Sequence, residues 1–200
     1  MPRWRTKVRL PMLNLPNILT LSRIAAIPVV VACFWLDRGW AQWFSMIVFV
    51  AACVTDWFDG YFARRYHQIS RFGRFLDPIA DKLLVAAALL MLVDRGPLHG
   101  VHVLAALIIL AREILVSGLR EFLAELRVGL PVSQLAKWKT GVQMVAIALL
   151  LVGDAADHIL TVAGLWMIWA AALLTLITGY DYLRTGLRHM AEDTPPGSAE

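Results

Sequence analysis

Apolar residues along the chain are gathered into six blocks, at about 18–36, 41–62, 75–94, 101–122, 139–153 and 159–183, joined by short polar connections. A helix of about 20 residues crosses a hydrocarbon core about 30 Å thick. Blocks of this length therefore predict membrane spans. Lipid offers no partner for backbone N–H and C=O groups, so each span must satisfy its own, which an α-helix does. The expected fold is all-α and integral to the membrane, with six transmembrane helices and an N-terminal amphipathic juxtamembrane segment. Three regions follow: 1–14 as the interfacial segment, 15–190 as one six-helix domain and 191–200 as a disordered tail.

Charge fixes the expected orientation. Arg3, Arg5, Lys7, Arg9, Arg64, Arg65, Arg71, Arg74, Arg127, Lys137, Lys139, Arg184 and Arg188 fall on one side of the predicted bundle. Only Arg38 and Arg95 fall on the other. Positive residues stay cytoplasmic, so both termini and the 63–75 and 123–138 loops are expected in the cytoplasm. Trp35, Trp40 and Trp43 bracket the first outer hairpin as an interfacial aromatic belt would. The basic first twelve residues, with Trp4 and Leu10 interleaved, suit an anionic membrane surface.

Composition agrees with this picture. The 200 residues are 59% hydrophobic and 17% charged, more apolar than a soluble domain of this size. The net charge of +4 reflects topology and not nucleic-acid binding. Cys33 and Cys53 both lie in apolar blocks and read as small apolar residues. Val30 to Cys33 loosely resembles a lipoprotein cleavage site, but a second apolar block follows within a few residues, so the first block is read as a span.

The chemistry concentrates between 56 and 82, DWFDGYFARRYHQISRFGRFLDPIADK. Asp56, Asp59, Gly60, Ala63 and Arg64 share one helical face, and Asp77 and Asp81, four apart, share a face on the next helix. The short connection predicts antiparallel neighbours, with two pairs of carboxylates opposed near the cytoplasmic surface. An ionised Asp inside a span is disfavoured by roughly 3 kcal/mol, and four of them repel. A divalent cation resolves both problems, and oxygen-only ligands suit Mg²⁺ or Mn²⁺. Gly60, Ala63 and Gly73 leave room for a phosphate to approach backbone, and Arg64 suits phosphate oxygens. The plainer alternative is ion pairing of these carboxylates with Arg64, Arg65, Arg71 and Arg74.

Arg112 lies well inside the fourth block, where a cation needs an anion or water. One reading is a structural Glu113–Arg120 contact. The other joins Arg112, Arg120, Lys137 and Lys139 as a site for an acceptor's phosphate. Lys82 either tunes Asp81 or snorkels. Asn17, Thr20 and Arg23, three apart at the start of the first block, suit capping and headgroup contact. The five histidines show no ligand pattern, and Asp154 and Asp157 are expected to be solvated.

The pattern DxxDGxxAR, eight residues, then GxxxDxxxD, resembles the signature of the CDP-alcohol phosphotransferase family. It is complete here in Asp56, Asp59, Gly60, Ala63, Arg64, Gly73, Asp77 and Asp81. NLPNILTLSRIAAIPVV, AREILVSGLREFLAEL and KWKTGVQMVAI extend the resemblance along nearly the whole chain. It implies transfer of a phosphatidyl group from CDP-diacylglycerol to sn-glycerol 3-phosphate, releasing CMP, in a bacterial cytoplasmic membrane. It further implies two divalent ions on Asp56, Asp59 and Asp77, with Asp81 shared between metal and base, and a homodimer. Asn17, Thr20, Arg23, Asp59, Gly60, Ala63, Arg64 and Gly73 would then line the CDP-diacylglycerol site.

Two other classes compete. A prenyltransferase also holds metal-diphosphate on Asp-rich motifs but needs a second such motif. A cation transporter expects acidic residues near the midplane, whereas these four lie near one face. Within the family, inositol phosphate, serine or phosphatidylglycerol are alternative acceptors.

Overall fold

A computed structural model describes residues 15–36, 38–66, 71–125 and 134–192. They form six α-helices where the six blocks lie: α1 (Leu15–Cys33), α2 (Gly39–Tyr66), α3 (Arg71–Asp94), α4 (Val103–Glu125), α5 (Gln134–Val152) and α6 (His158–Glu192). Each apolar block seeds its helix, and polar residues at the block edges extend it. The last is extended most, by about nine residues beyond the 183 expected. Short 3-10 turns precede α4 and α6, and each opens on a glycine with left-handed backbone, Gly100 (φ 58°) and Gly153 (φ 51°). Asp157 caps α6, accepting from the N–H of Ile159 at 3.4 Å.

The basic first segment, and the tail from 193 onward, lie outside the described residues. Within them the chain is an all-helical membrane protein. Gly100–Ala124, Gln134–Val152 and His158–Gly186 are long and apolar enough to cross a membrane, and shorter apolar stretches occupy Asn17–Cys33 and Gly39–Thr55. Large apolar side chains cover the outside, among them Ile47, Leu107, Ile114, Trp166 and Leu173, as a lipid-facing surface requires. Trp35, Trp40 and Trp43 are exposed around the connection between α1 and α2, where the belt is expected.

The core joins Val30, Phe49, Leu84, Leu89, Ile109, Ile147 and Ile168 with Ala52, Ala88, Ala105, Ala146 and Ala171. In lipid no hydrophobic driving force joins helices, so these small residues matter because they let backbones pack closely. The most extensive pairing is α5 with α6; α4 also rests on α6, and α2 on α5.

One expectation needs correction. Among the described residues α2 and α3 touch only slightly, whereas α1 packs extensively against both. The cause is chemical. The buried polar face of α1 finds its partner on α3, where Thr20 and Arg23 meet Asp77.

The cysteines behave as expected. Cys33 is buried, Cys53 is half-buried, and neither forms a disulfide. One histidine has a structural task that its sequence context concealed: the indole Nε1 of Trp169 donates to His102 Nδ1 at 3.0 Å, tying α6 to the turn before α4.

Candidate functional site

The acidic motif straddles the connection between α2 and α3. Asp56, Asp59, Gly60, Ala63 and Arg64 occupy the last turns of α2, and Gly73, Asp77 and Asp81 the first turns of α3. The side chains of the α2 group lie outside the described residues. Gly73 is buried, and Asp77 and Asp81 are half-buried. Pro78 stands between the two aspartates; without an N–H it leaves a carbonyl of the first turn unbonded.

Asn17, Thr20 and Arg23 are each only 1% exposed. Headgroup contact is therefore ruled out for this face of α1. Instead the Thr20 hydroxyl donates to Asp77 Oδ1, and Arg23 Nη2 stands 3.6 Å from the same oxygen. Both contacts fall on Oδ1, which leaves Oδ2 of a side chain 43% exposed for a cation. An all-oxygen donor set with an open, externally oriented carboxylate fits a hard divalent ion.

A second polar group lies across α4, α5 and α6. Lys139, 2% exposed on α5, donates to Glu113 of α4. Arg112 Nη1 stands 3.8 Å from the same carboxylate, so Glu113 is engaged by these two cations and the alternative Glu113–Arg120 pairing gives way. The guanidinium of Arg112 also donates from Nη2 to Thr178 Oγ1 at 3.2 Å and lies 5.7 Å from the ring centre of Tyr182. A Cβ on Gly179 would stand 3.0 Å from Arg112 Cγ. Glycine at that position lets the arginine lie along α6. Its Nε is buried with no acceptor among the described residues.

The two groups connect. Lys139 is within Coulombic reach of Asp81 as well as of Glu113 and Arg112. Lys82, next to Asp81, donates to Ser117 of α4. It does not snorkel. Between α3 and α4 opens a hollow of about 530 Å³, lined by Pro78, Lys82, Arg112, Glu113, Ser117 and Arg120 among others. That volume is within the usual range for a small-molecule site. Three cations, Lys82, Arg112 and Arg120, and two carboxylates, Glu113 (already engaged by Lys139 and Arg112) and Glu121, line it, and its α3 wall begins one residue after each of Asp77 and Asp81.

The four cations expected to bind phosphate are thus not equivalent. Arg112 and Arg120 line the hollow; Lys137 and Lys139 do not. Lys137 is exposed on α5, and Lys139 is buried on Glu113 because a buried ammonium needs a counter-charge. Lys82 takes a place there that spacing left undecided. Sequence reasoning missed Ser117, Thr178, Gly179 and Tyr182. The latter three lie some 66 to 70 residues from Arg112, in an apolar block with no local signal.

The chain is similar to known proteins over most of its length. The family model described as CDP-alcohol phosphatidyltransferase matches residues 13–177. A relative in Rickettsia bellii named CDP-diacylglycerol–glycerol-3-phosphate 3-phosphatidyltransferase is 49% identical over 173 residues, covering 86% of this chain and 94% of that protein. One of the same name in Cereibacter sphaeroides is 40% identical over 217 residues, covering 90% and 98%. In Arabidopsis thaliana a relative named CDP-diacylglycerol–glycerol-3-phosphate 3-phosphatidyltransferase 2 is 37% identical over 191 residues, covering 90% and 82%.

Proposed function

The chain belongs to the CDP-alcohol phosphatidyltransferase family, and on that premise we propose that it makes phosphatidylglycerol phosphate, joining the phosphatidyl group of CDP-diacylglycerol to sn-glycerol 3-phosphate. The observation that carries the choice of acceptor is the hollow beside Asp77 and Asp81, where Lys82, Arg112 and Arg120 converge. A doubly charged phosphate calls for more than one cation. Serine, a zwitterion with a single carboxylate and no phosphate, does not call for a cluster of three.

In this reading Asp56, Asp59 and Asp77 hold two divalent ions, Mg²⁺ or Mn²⁺, with Asp81 sharing one of them. Bound there, the ions would neutralise the diphosphate and ease departure of CMP. The protein's own groups do the rest. Gly60, Ala63, Arg64 and Gly73 border the CDP-diacylglycerol site, and Asn17, Thr20 and Arg23 close it, the latter two by holding Asp77. Arg112, Arg120 and Lys82 hold the acceptor's phosphate so that its free primary hydroxyl points at the lipid-linked phosphorus. Asp81 takes the proton from that hydroxyl. The oxygen forms the new P–O bond, and the bond from phosphorus to the CMP oxygen breaks. Asp81 is a weak base, so much of its effect is positional.

The proposal includes the cytoplasmic membrane of a bacterium, with the site and both termini facing the cytoplasm; the distribution of Lys and Arg supports it. It also includes a homodimer, supported by family resemblance, which light scattering in detergent would read out. The chemical test is incorporation of labelled glycerol 3-phosphate into lipid by the purified protein. Label should enter the lipid only with CDP-diacylglycerol and a divalent ion, and a chelator should stop it. Incorporation unaffected by chelation would remove the metal from the account.

A further inference from the structure

The two cations that break the charge asymmetry of the chain come together. Arg38 lies between α1 and α2 and Arg95 just after α3, yet both line one hollow of about 540 Å³ at the end of the bundle opposite the acidic motif. Cys33 and Phe34 form an apolar side of this hollow, and Gly39 and Gln42 of α2 a polar one. No carboxylate lines it among the described residues.

Arg95 is held in a fixed pose. Its guanidinium stacks on Trp35, 4.7 Å from the ring centre, and its Nε lies 3.5 Å from the exposed carboxylate of Asp94. One carboxylate at that distance leaves most of five N–H donors for another acceptor. Arg38 makes no ion pair among the described residues. The first turn of α2, a helix of 28 residues, also opens here, with no acidic residue in it. The dipole of this helix adds positive potential to that of the two arginines.

We propose that this hollow is a phosphate-binding site, separate from the reaction site and filled by the phosphate of a phospholipid headgroup. The depth fits: Trp35 and Trp40 are exposed at this end, and an aromatic belt stands at the level of lipid headgroups. The shape fits as well, since an apolar side continues toward the chains. The same chemistry would accept free phosphate. The anion would offset two cations that otherwise stand on the side of the membrane where cations are disfavoured.

Native mass spectrometry of the detergent-purified full chain tests this with three probes: phosphatidylglycerol, diacylglycerol (which lacks phosphate) and inorganic phosphate. The protein should retain one more phosphatidylglycerol than R38Q/R95Q, or hold it about tenfold more tightly. It should show no such preference for diacylglycerol, and R38K/R95K should keep most of the binding. Competition by millimolar inorganic phosphate would assign the site to the free ion; lack of competition assigns it to lipid. Each single glutamine variant should show a smaller loss in the same direction, which keeps the test open if the double variant does not insert. Neither arginine touches the reaction site, so transfer activity in the same samples reports on folding. Equal phosphatidylglycerol retention by the parent and all glutamine variants that fold would overturn the proposal.

Discussion

The ammonium of Lys139 on α5 donates to the carboxylate of Glu113 on α4, in a layer where the lysine is only 2% exposed. The pair ties two helices together, and Arg112 approaches the same carboxylate at 3.8 Å. Breaking one member strands the other. Glu113→Leu should destabilise the protein by about 3 kcal/mol, because it leaves a buried ammonium with its main counter-charge gone. Glu113→Leu with Lys139→Met should recover most of that loss. Thermal unfolding in detergent, followed by helical circular dichroism, checks both. Additive losses in the double variant would show that the pair is not coupled.

Arg112 is positioned by Thr178, Tyr182 and Gly179 on α6. Arg112→Lys keeps the charge but loses the planar fork and the ring contact. It should raise KM for glycerol 3-phosphate about tenfold while leaving KM for CDP-diacylglycerol nearly unchanged. Gly179→Ala presses a methyl against Arg112 Cγ and should produce a smaller rise in the same parameter. Steady-state kinetics with each substrate varied in turn will separate the two.

These residues also mark how far the sequence could be read. The offsets of Asp56, Asp59, Asp77 and Asp81 follow helical periodicity, so their places in the last turns of α2 and the first turns of α3 were legible, as were the helices themselves. Lys139 and Glu113 are 26 residues apart, and Arg112 and Thr178 are 66 apart. Nothing in local periodicity says which helix faces which in lipid, where apolar surfaces are interchangeable. For the same reason the place of α1 against both α2 and α3 was not legible. Its Asn17, Thr20 and Arg23 stripe pointed to a polar partner without identifying Asp77.

Thr20 and Arg23 orient Asp77 through one of its oxygens. Outer partners of this kind typically tune metal affinity by about 10- to 100-fold. Thr20→Val should therefore raise the Mg²⁺ concentration for half-maximal activity about tenfold, with the maximal rate recovered at saturating metal. An unchanged Mg²⁺ requirement would leave Thr20 a packing residue.

Asp81→Asn keeps the shape of the side chain and removes its basicity. Turnover should fall by about 10²-fold or more, while membrane insertion and CDP-diacylglycerol binding persist. Near-normal turnover would remove Asp81 as the base. Arg23→Lys is a useful companion, since it disturbs Asp77 and leaves Asp81 intact.

The most direct measurement is CMP release by the purified protein, supplied with Mg²⁺ and CDP-diacylglycerol and offered one acceptor at a time. The account predicts release with glycerol 3-phosphate, and only background with serine, inositol phosphate or phosphatidylglycerol. Equal release with serine, or no release with any acceptor, would contradict it.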